Sequence, residues 1–173
     1  MRRFAFLTLL LPGLAQAQVA LVTDLTGAAG ALTLLSEVHA DTTVQLHGAM
    51  TVLYYETGDE FSFRGPARIA FGKAEPTVLQ GAPAQRSNAG PKGATLKPGG
   101  VAPATFVMRS KMTPELRARI DSARPSPNAP FAERVKFAAW LEQLQLKDEA
   151  RVAWKALAAE RPDSQQLKEL ASR

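Results

Sequence analysis

No cysteine occurs in the 173 residues, and histidine, tryptophan and tyrosine appear twice each. Without thiols there is no thiolate nucleophile, no zinc–sulfur site and no dithiol redox pair, and the core must rest on burial alone. Aromatic residues make up 7% of the chain, and few stand among the cationic ones, which argues against nucleic acid as a partner. No Gly-x-Ser-x-Gly elbow, phosphate-cradling loop or dinucleotide fingerprint is present. No cofactor is expected. Long apolar runs are scarce as well. The run from Phe4 to Leu14 spans eleven residues, well short of the roughly twenty that a membrane-spanning helix needs.

That run has a different reading. Met1-Arg2-Arg3 precedes it and Ala15-Gln16-Ala17 follows it, the order of a basic segment, an apolar segment and a small-x-small cleavage site. Residues 1–17 therefore read as a cleaved secretory signal, and the mature chain as exported, with the bacterial periplasm as its compartment. No cysteine follows the cleavage point, so a lipid anchor is excluded, and no transmembrane helix is expected in the mature chain.

Charge is unevenly spread. Residues 18–85 carry three basic and seven acidic side chains, a net of −4, while residues 86–124 carry eight and two, a net of +6. The basic stretch suits either a solvated linker or an attraction to an acidic partner or an anionic surface. Within it, residues 83–104 are rich in Gly and Pro and bury too little apolar surface to offset their ordering entropy. They read as a linker or long loop. Thr105 to Arg109, within residues 105–111, reads as a short strand returning to the sheet.

The fold class expected is α+β: a small antiparallel β sandwich or rolled sheet, then a separate C-terminal helical hairpin. Strands are expected at Val19–Leu25, Gly30–Leu35, Thr42–Leu46, Met50–Glu56, Glu60–Arg64, Ala67–Phe71 and Thr77–Leu79, with Ser36–Asp41 as a turn. Gly58, beside Asp59, supplies a positive-φ turn, and Gly65-Pro66 interrupts the ladder. Glu60 to Arg64 alternates so that Phe61 and Phe63 share one face and the charges the other. Tyr54 and Tyr55 diverge, one inward and one outward.

The order Gly48-Ala49, strand, Gly58-Asp59, strand, Gly65-Pro66-Ala67 resembles the FecR-type domain of bacterial envelope proteins, over about residues 19–82. The resemblance implies an extracytoplasmic β module and, in a signalling member of the family, a sensory or regulatory role. This chain shows neither a cytoplasmic anti-sigma segment nor a membrane helix through which such a signal would pass.

Residues 112–173 read as helical. Thr113-Pro114 starts a helix that places Leu116 and Ile120 on one face, and the prolines between Ser122 and Pro130 end it. A second helix, Pro130 to Leu146, carries two stripes: Phe131, Val135, Ala138 and Leu141, then Phe137, Trp140 and Leu144. A third, Asp148 to Glu160, places Ala150, Trp154 and Leu157 together, and a last short helix holds Leu167 and Leu170. Over residues 131–162 the spacing resembles one tetratricopeptide-type helix pair, in which small Ala138 and Ala150 allow close approach and Trp154 fills the gap. One such unit needs a partner surface: the β domain, a second copy or a foreign helix. Phe137, Trp140 and Trp154 are the expected contact residues if their face is left uncovered.

Three functions are open at this level. The first is a non-catalytic envelope protein that acts as a scaffold or accessory through protein–protein contacts with an unidentified envelope partner. The second is a sensor or regulatory accessory of a FecR-type system. The third is a small metal-binding protein or enzyme using His39, His47 and Asp41, which requires the two imidazoles to lie within about 6 Å of each other.

Overall fold

β1 (Gln18–Ala29) is the strand on which the sheet is assembled. It pairs antiparallel with the short β2 (Glu37–His39) on one side and with β3 (Thr43–Tyr54) on the other. The structure, a computed structural model, describes residues 17–87, 96–98 and 112–173. Residues 1–16 of the expected signal segment 1–17, most of the Gly/Pro-rich linker and the expected returning strand at Thr105–Arg109 lie outside those residues.

β3 changes neighbours halfway along its length. Its first half pairs with β5 (Ala67–Phe71), from Thr43↔Ala70 to Leu46↔Ala67. Its second half pairs with β4 (Glu60–Arg64), from Ala49↔Arg64 to Leu53↔Glu60. β6 (Pro76–Gln80) extends the sheet beside β5, and β7 (Gln85–Ser87) beside β4.

The change of neighbour falls on a line of glycines. Gly27 is paired with Gly48, and the Gly65 N–H donates to Gly48 O. A Cβ on Gly48 would sit 1.9 Å from Thr26 O. Backbones this close exclude any side chain, and the bend they permit rolls the sheet.

Rolling separates the two faces. Ala20↔Tyr54 and Val22↔Val52 lie on the inner face, where they pack with Phe61, Phe63, Ile69 and Phe71. Leu21↔Leu53 lies between those pairs and points the other way, into the helices. Alternation along one strand thus builds two cores.

Four helices follow among the described residues, α1 (Pro114–Ala123), α2 (Phe131–Gln143), α3 (Lys147–Glu160) and α4 (Gln165–Ser172), with α2 packed against β1 and α3 against α2 and α4. Thr113 caps α1 by accepting from Leu116 N at 3.2 Å, and Ser164 caps α4 by accepting from Leu167 N at 3.4 Å. α2 is central. Nine of its thirteen residues are buried, as befits a helix with neighbours on more than one side. Leu21 and Leu53 of the sheet share one apolar cluster with Val135, Trp140, Trp154 and Leu167. The β layer is therefore itself a partner surface for the helix pair.

Five expectations for the β region change. β1 continues through Gly27 to Ala29, with Gly27 at φ 81°. Gly30–Leu35 is turn, save one bridge from Leu32 to Ala29, and Leu35 adopts φ 64°. The expected turn at Ser36–Asp41 contains β2. Thr42–Leu46 and Met50–Glu56 are one strand, because the Gly48 position bends the backbone without breaking its pairing with β1. Gln85–Ser87, expected as linker, is β7.

Candidate functional site

The two histidines do not meet. His39 faces Gln18 at one end of β1, and His47 faces Ala28 at the other. At about 3.3 Å per residue the separation is on the order of 30 Å along the strand, so the two cannot share an ion. Asp41 lies in the turn after His39 at φ 63°, its N–H held by Phe71 O. Among the described residues no group of three or more His, Asp and Glu side chains is placed to hold a metal. His39 instead lines a cleft of about 440 Å³ between β2 and α4, with Glu37, Gln166 and Glu169 beside the apolar Leu35 and Leu170. Glu37 accepts from the Tyr55 hydroxyl at 3.3 Å there, and burial together with that carboxylate holds the Tyr55 phenol in its protonated form.

A second ionisable group of residues is sealed beneath α2. Glu60 points from β4 to the same side as Leu53, with 7% of its surface exposed, and Lys136 of α2 has 4%. Burial pushes the Glu60 carboxyl above its ordinary 4.5; Lys136 opposes the shift and Glu133 adds to it. Burial pulls the Lys136 ammonium below its ordinary 10.5, against the attraction of Glu60, Glu133 and Asp59. Glu60 Oε1 has no hydrogen-bond partner. Asp59, buried beside it in sequence, is ion-paired to Arg86 of β7. The sequence pattern puts Glu60 on the face opposite Phe61 and Phe63, and in the structure that position is buried near Lys136 of α2.

Phe137, Trp140 and Trp154 are also buried, at 5%, 2% and 0% exposure. The uncovered face on which they were expected as contact residues is therefore not there: Ile120 and Ala123 of α1 and Leu21 and Leu53 of the sheet pack in the same cluster as these rings. Trp140 and Phe137 touch each other, with ring centroids 6.1 Å apart. Arg119 lies 5.3 Å over the first ring and Arg124 5.9 Å over the second.

What remains open is a groove of about 570 Å³ beside that aromatic pair. Its walls are the Arg124–Pro127 loop, the Arg134/Phe137/Leu141 side of α2, and Glu149, Val152, Ala153, Ala156 and Leu157 of α3. Val152 is 68% exposed. The volume is in the range of pockets that hold several side chains or a small molecule. Position 134 recurs at 137 and 141, and position 149 at 152, 153 and 156, so each helix presents one row to the groove. The Val152 row was legible as a second apolar stripe on α3, though it was overshadowed by the larger residues of the Trp154 stripe. The loop of prolines that closes the groove was not legible, because nothing local says where a loop folds back.

Neither Glu60 nor Lys136 lines this groove or the His39 cleft. Among the described residues no helix is long and apolar enough to cross a membrane. Compared with protein-family models, with curated proteins and with solved structures, the chain matches none of them.

Proposed function

We propose that the chain is an exported envelope protein that acts by binding, holding an apolar segment of a partner protein in the groove between the Arg124–Pro127 loop and α3. One observation carries this reading: Val152, an aliphatic side chain 68% exposed, stands in a recess whose lining includes Phe137, Leu141 and Leu157. Exposed apolar surface inside a concavity is the usual mark of a contact site. The signal-like segment at residues 1–17 and the FecR-type resemblance over residues 19–82 support an extracytoplasmic setting. The tetratricopeptide-like spacing over residues 131–162 supports a helical surface used for contact.

The test uses a neutral apolar dye, N-phenyl-naphthylamine, and a photo-cross-linking residue. The dye should brighten with the full mature chain and fail to do so with Val152→Asp, a change that α3 tolerates because the position faces water. A benzophenone residue at 152 should cross-link to an envelope protein that the same residue at Lys155 does not reach. Equal dye binding by both proteins, or identical cross-links from 152 and 155, would overturn the reading.

A further inference from the structure

We infer that the partner held in this groove is a second copy of the chain, joined about a twofold axis so that Val152 of each copy enters the recess of the other. The inference rests on the binding role proposed above and adds the identity of the partner.

Its first basis is charge. Arg134 is paired with Glu160 at 2.7 Å and Arg124 with Asp121 at 3.7 Å, and Glu149 adds one carboxylate to the lining. The cations are thus answered within the chain, and the recess carries no strong field of either sign. A highly charged segment would gain no opposite charge there. Two such recesses, by contrast, can face each other without like-charge repulsion.

The second basis is shape. Positions 149, 152, 153 and 156 share one side of α3, the side that neither α2 nor α4 covers. Ala156 is exposed and Ala153 half-buried, so Val152 projects among small residues that let another helix come close. An interface between identical copies needs a projection and its complement on one surface. Both are present: Val152 stands out, and the hollow whose lining includes Phe137, Leu141 and Leu157 lies beside it. Two antiparallel α3 helices, related by an axis between positions 152 and 153, set Val152 against Ala153 of the other copy. Glu149 then meets Ala156 of the other copy, away from its own counterpart. Lys155 lies about 110° around the helix from the centre of this side and stays outside the contact. One helix and one loop per copy bury less than roughly 1,200 Å², which makes the dimer a transient one.

The test is sedimentation velocity on the full mature chain from about 1 to 500 μM, since association follows mass action. The average mass of the wild type should rise toward twice the monomer, and Val152→Asp should stay monomeric with an unchanged circular dichroism spectrum. Dye brightening per chain should fall over the same range, because the copies then cover the groove. The chain has no native cysteine, so Val152→Cys should form a disulfide-linked dimer on mild oxidation and Lys155→Cys should not. A wild type that stays monomeric while its dye binding depends on Val152 overturns this inference and leaves the binding role standing. Self-association that persists in Val152→Asp assigns the contact to another surface, such as the β6 strand with its 54% exposed Leu79, and overturns the inference as well. A monomeric chain without Val152-dependent dye binding overturns both.

Discussion

Arg161, which ends α3, approaches Asp24 of β1 to 2.7 Å and lays its guanidinium 3.6 Å over the ring of Phe131, the first residue of α2. One side chain thus ties the sheet to two helices. Asp24 Oδ1 is buried and takes this charge contact in place of a hydrogen bond. Both groups keep about a quarter of their side chains exposed (24% and 29%), so the ion pair is partly screened and the stacking matters as much. Arg161→Ala should lower stability by about 2 kcal/mol in urea titration. Arg161→Lys should recover part of that loss, because it keeps the charge without the planar stack.

The buried pair of Glu60 and Lys136 should behave differently. Lys136 is attracted to Glu133 and Asp59 as well as to Glu60, whereas Glu60 would be left beside the like charge of Glu133, so Lys136→Met alone should destabilise more than Glu60→Leu alone. Together the two changes should cost far less than their sum, and the double variant should match or exceed the wild type. A double-mutant cycle by denaturant unfolding decides it. Additive losses would mean that the two charges do not interact.

The same pair sets a pH dependence. Glu60 has a folded pKa above 4.5, so its contribution to stability is fully present below pH 4.5 and is lost as pH rises through the folded value. Lys136 has a folded pKa below 10.5, so its contribution is present above pH 10.5 and is lost as pH falls through the folded value. Both groups therefore favour folding least between those two folded values, where both are charged. The stability of the wild type relative to Glu60→Gln should rise as the solution is acidified toward pH 4.5. Unfolding followed by the fluorescence of the two tryptophans, Trp140 and Trp154, reads this directly. A difference that shrinks on acidification would contradict the assigned burial.

Two glycines should differ in tolerance. A methyl on Gly48 would meet Thr26 O at 1.9 Å, a backbone atom that cannot move aside without breaking the β1–β3 pairing, so Gly48→Ala should fail to give soluble folded protein. Gly58 has φ 72° and open space around its would-be Cβ. Gly58→Asn should lose about 1 kcal/mol or less, since Asn accepts that conformation. Expression yield and thermal melting separate the two.

Much of this architecture was legible locally. Alternation from Glu60 to Arg64 fixes which face carries Phe61 and Phe63, because strand side chains have a period of two. Thr113-Pro114 and Ser164 mark helix starts because their oxygens satisfy the first free N–H groups. The spacing of Ala138, Ala150 and Trp154 reports close helix packing, Gly48 and Gly65 mark places where a side chain would not fit, and Gly58 marks a turn at positive φ. Each is a property of neighbours in sequence.

Long-range placement was decided only by the tertiary structure. Nothing near His39 or His47 in sequence says that β1 holds them at its opposite ends. Nothing near Gly48 says that a strand will bend there and continue. Glu60 alternates like any surface residue, and α2, about seventy residues later in the chain, turns that position into the interior. Phe137 and Trp140 look like an open stripe until residues of α1 and the sheet pack in the same cluster, and the exposed Val152 becomes a contact site only because a proline loop closes the groove beside it. Periodicity determines which residues share a face; which surface covers that face depends on contacts between residues distant in sequence, which no local pattern records.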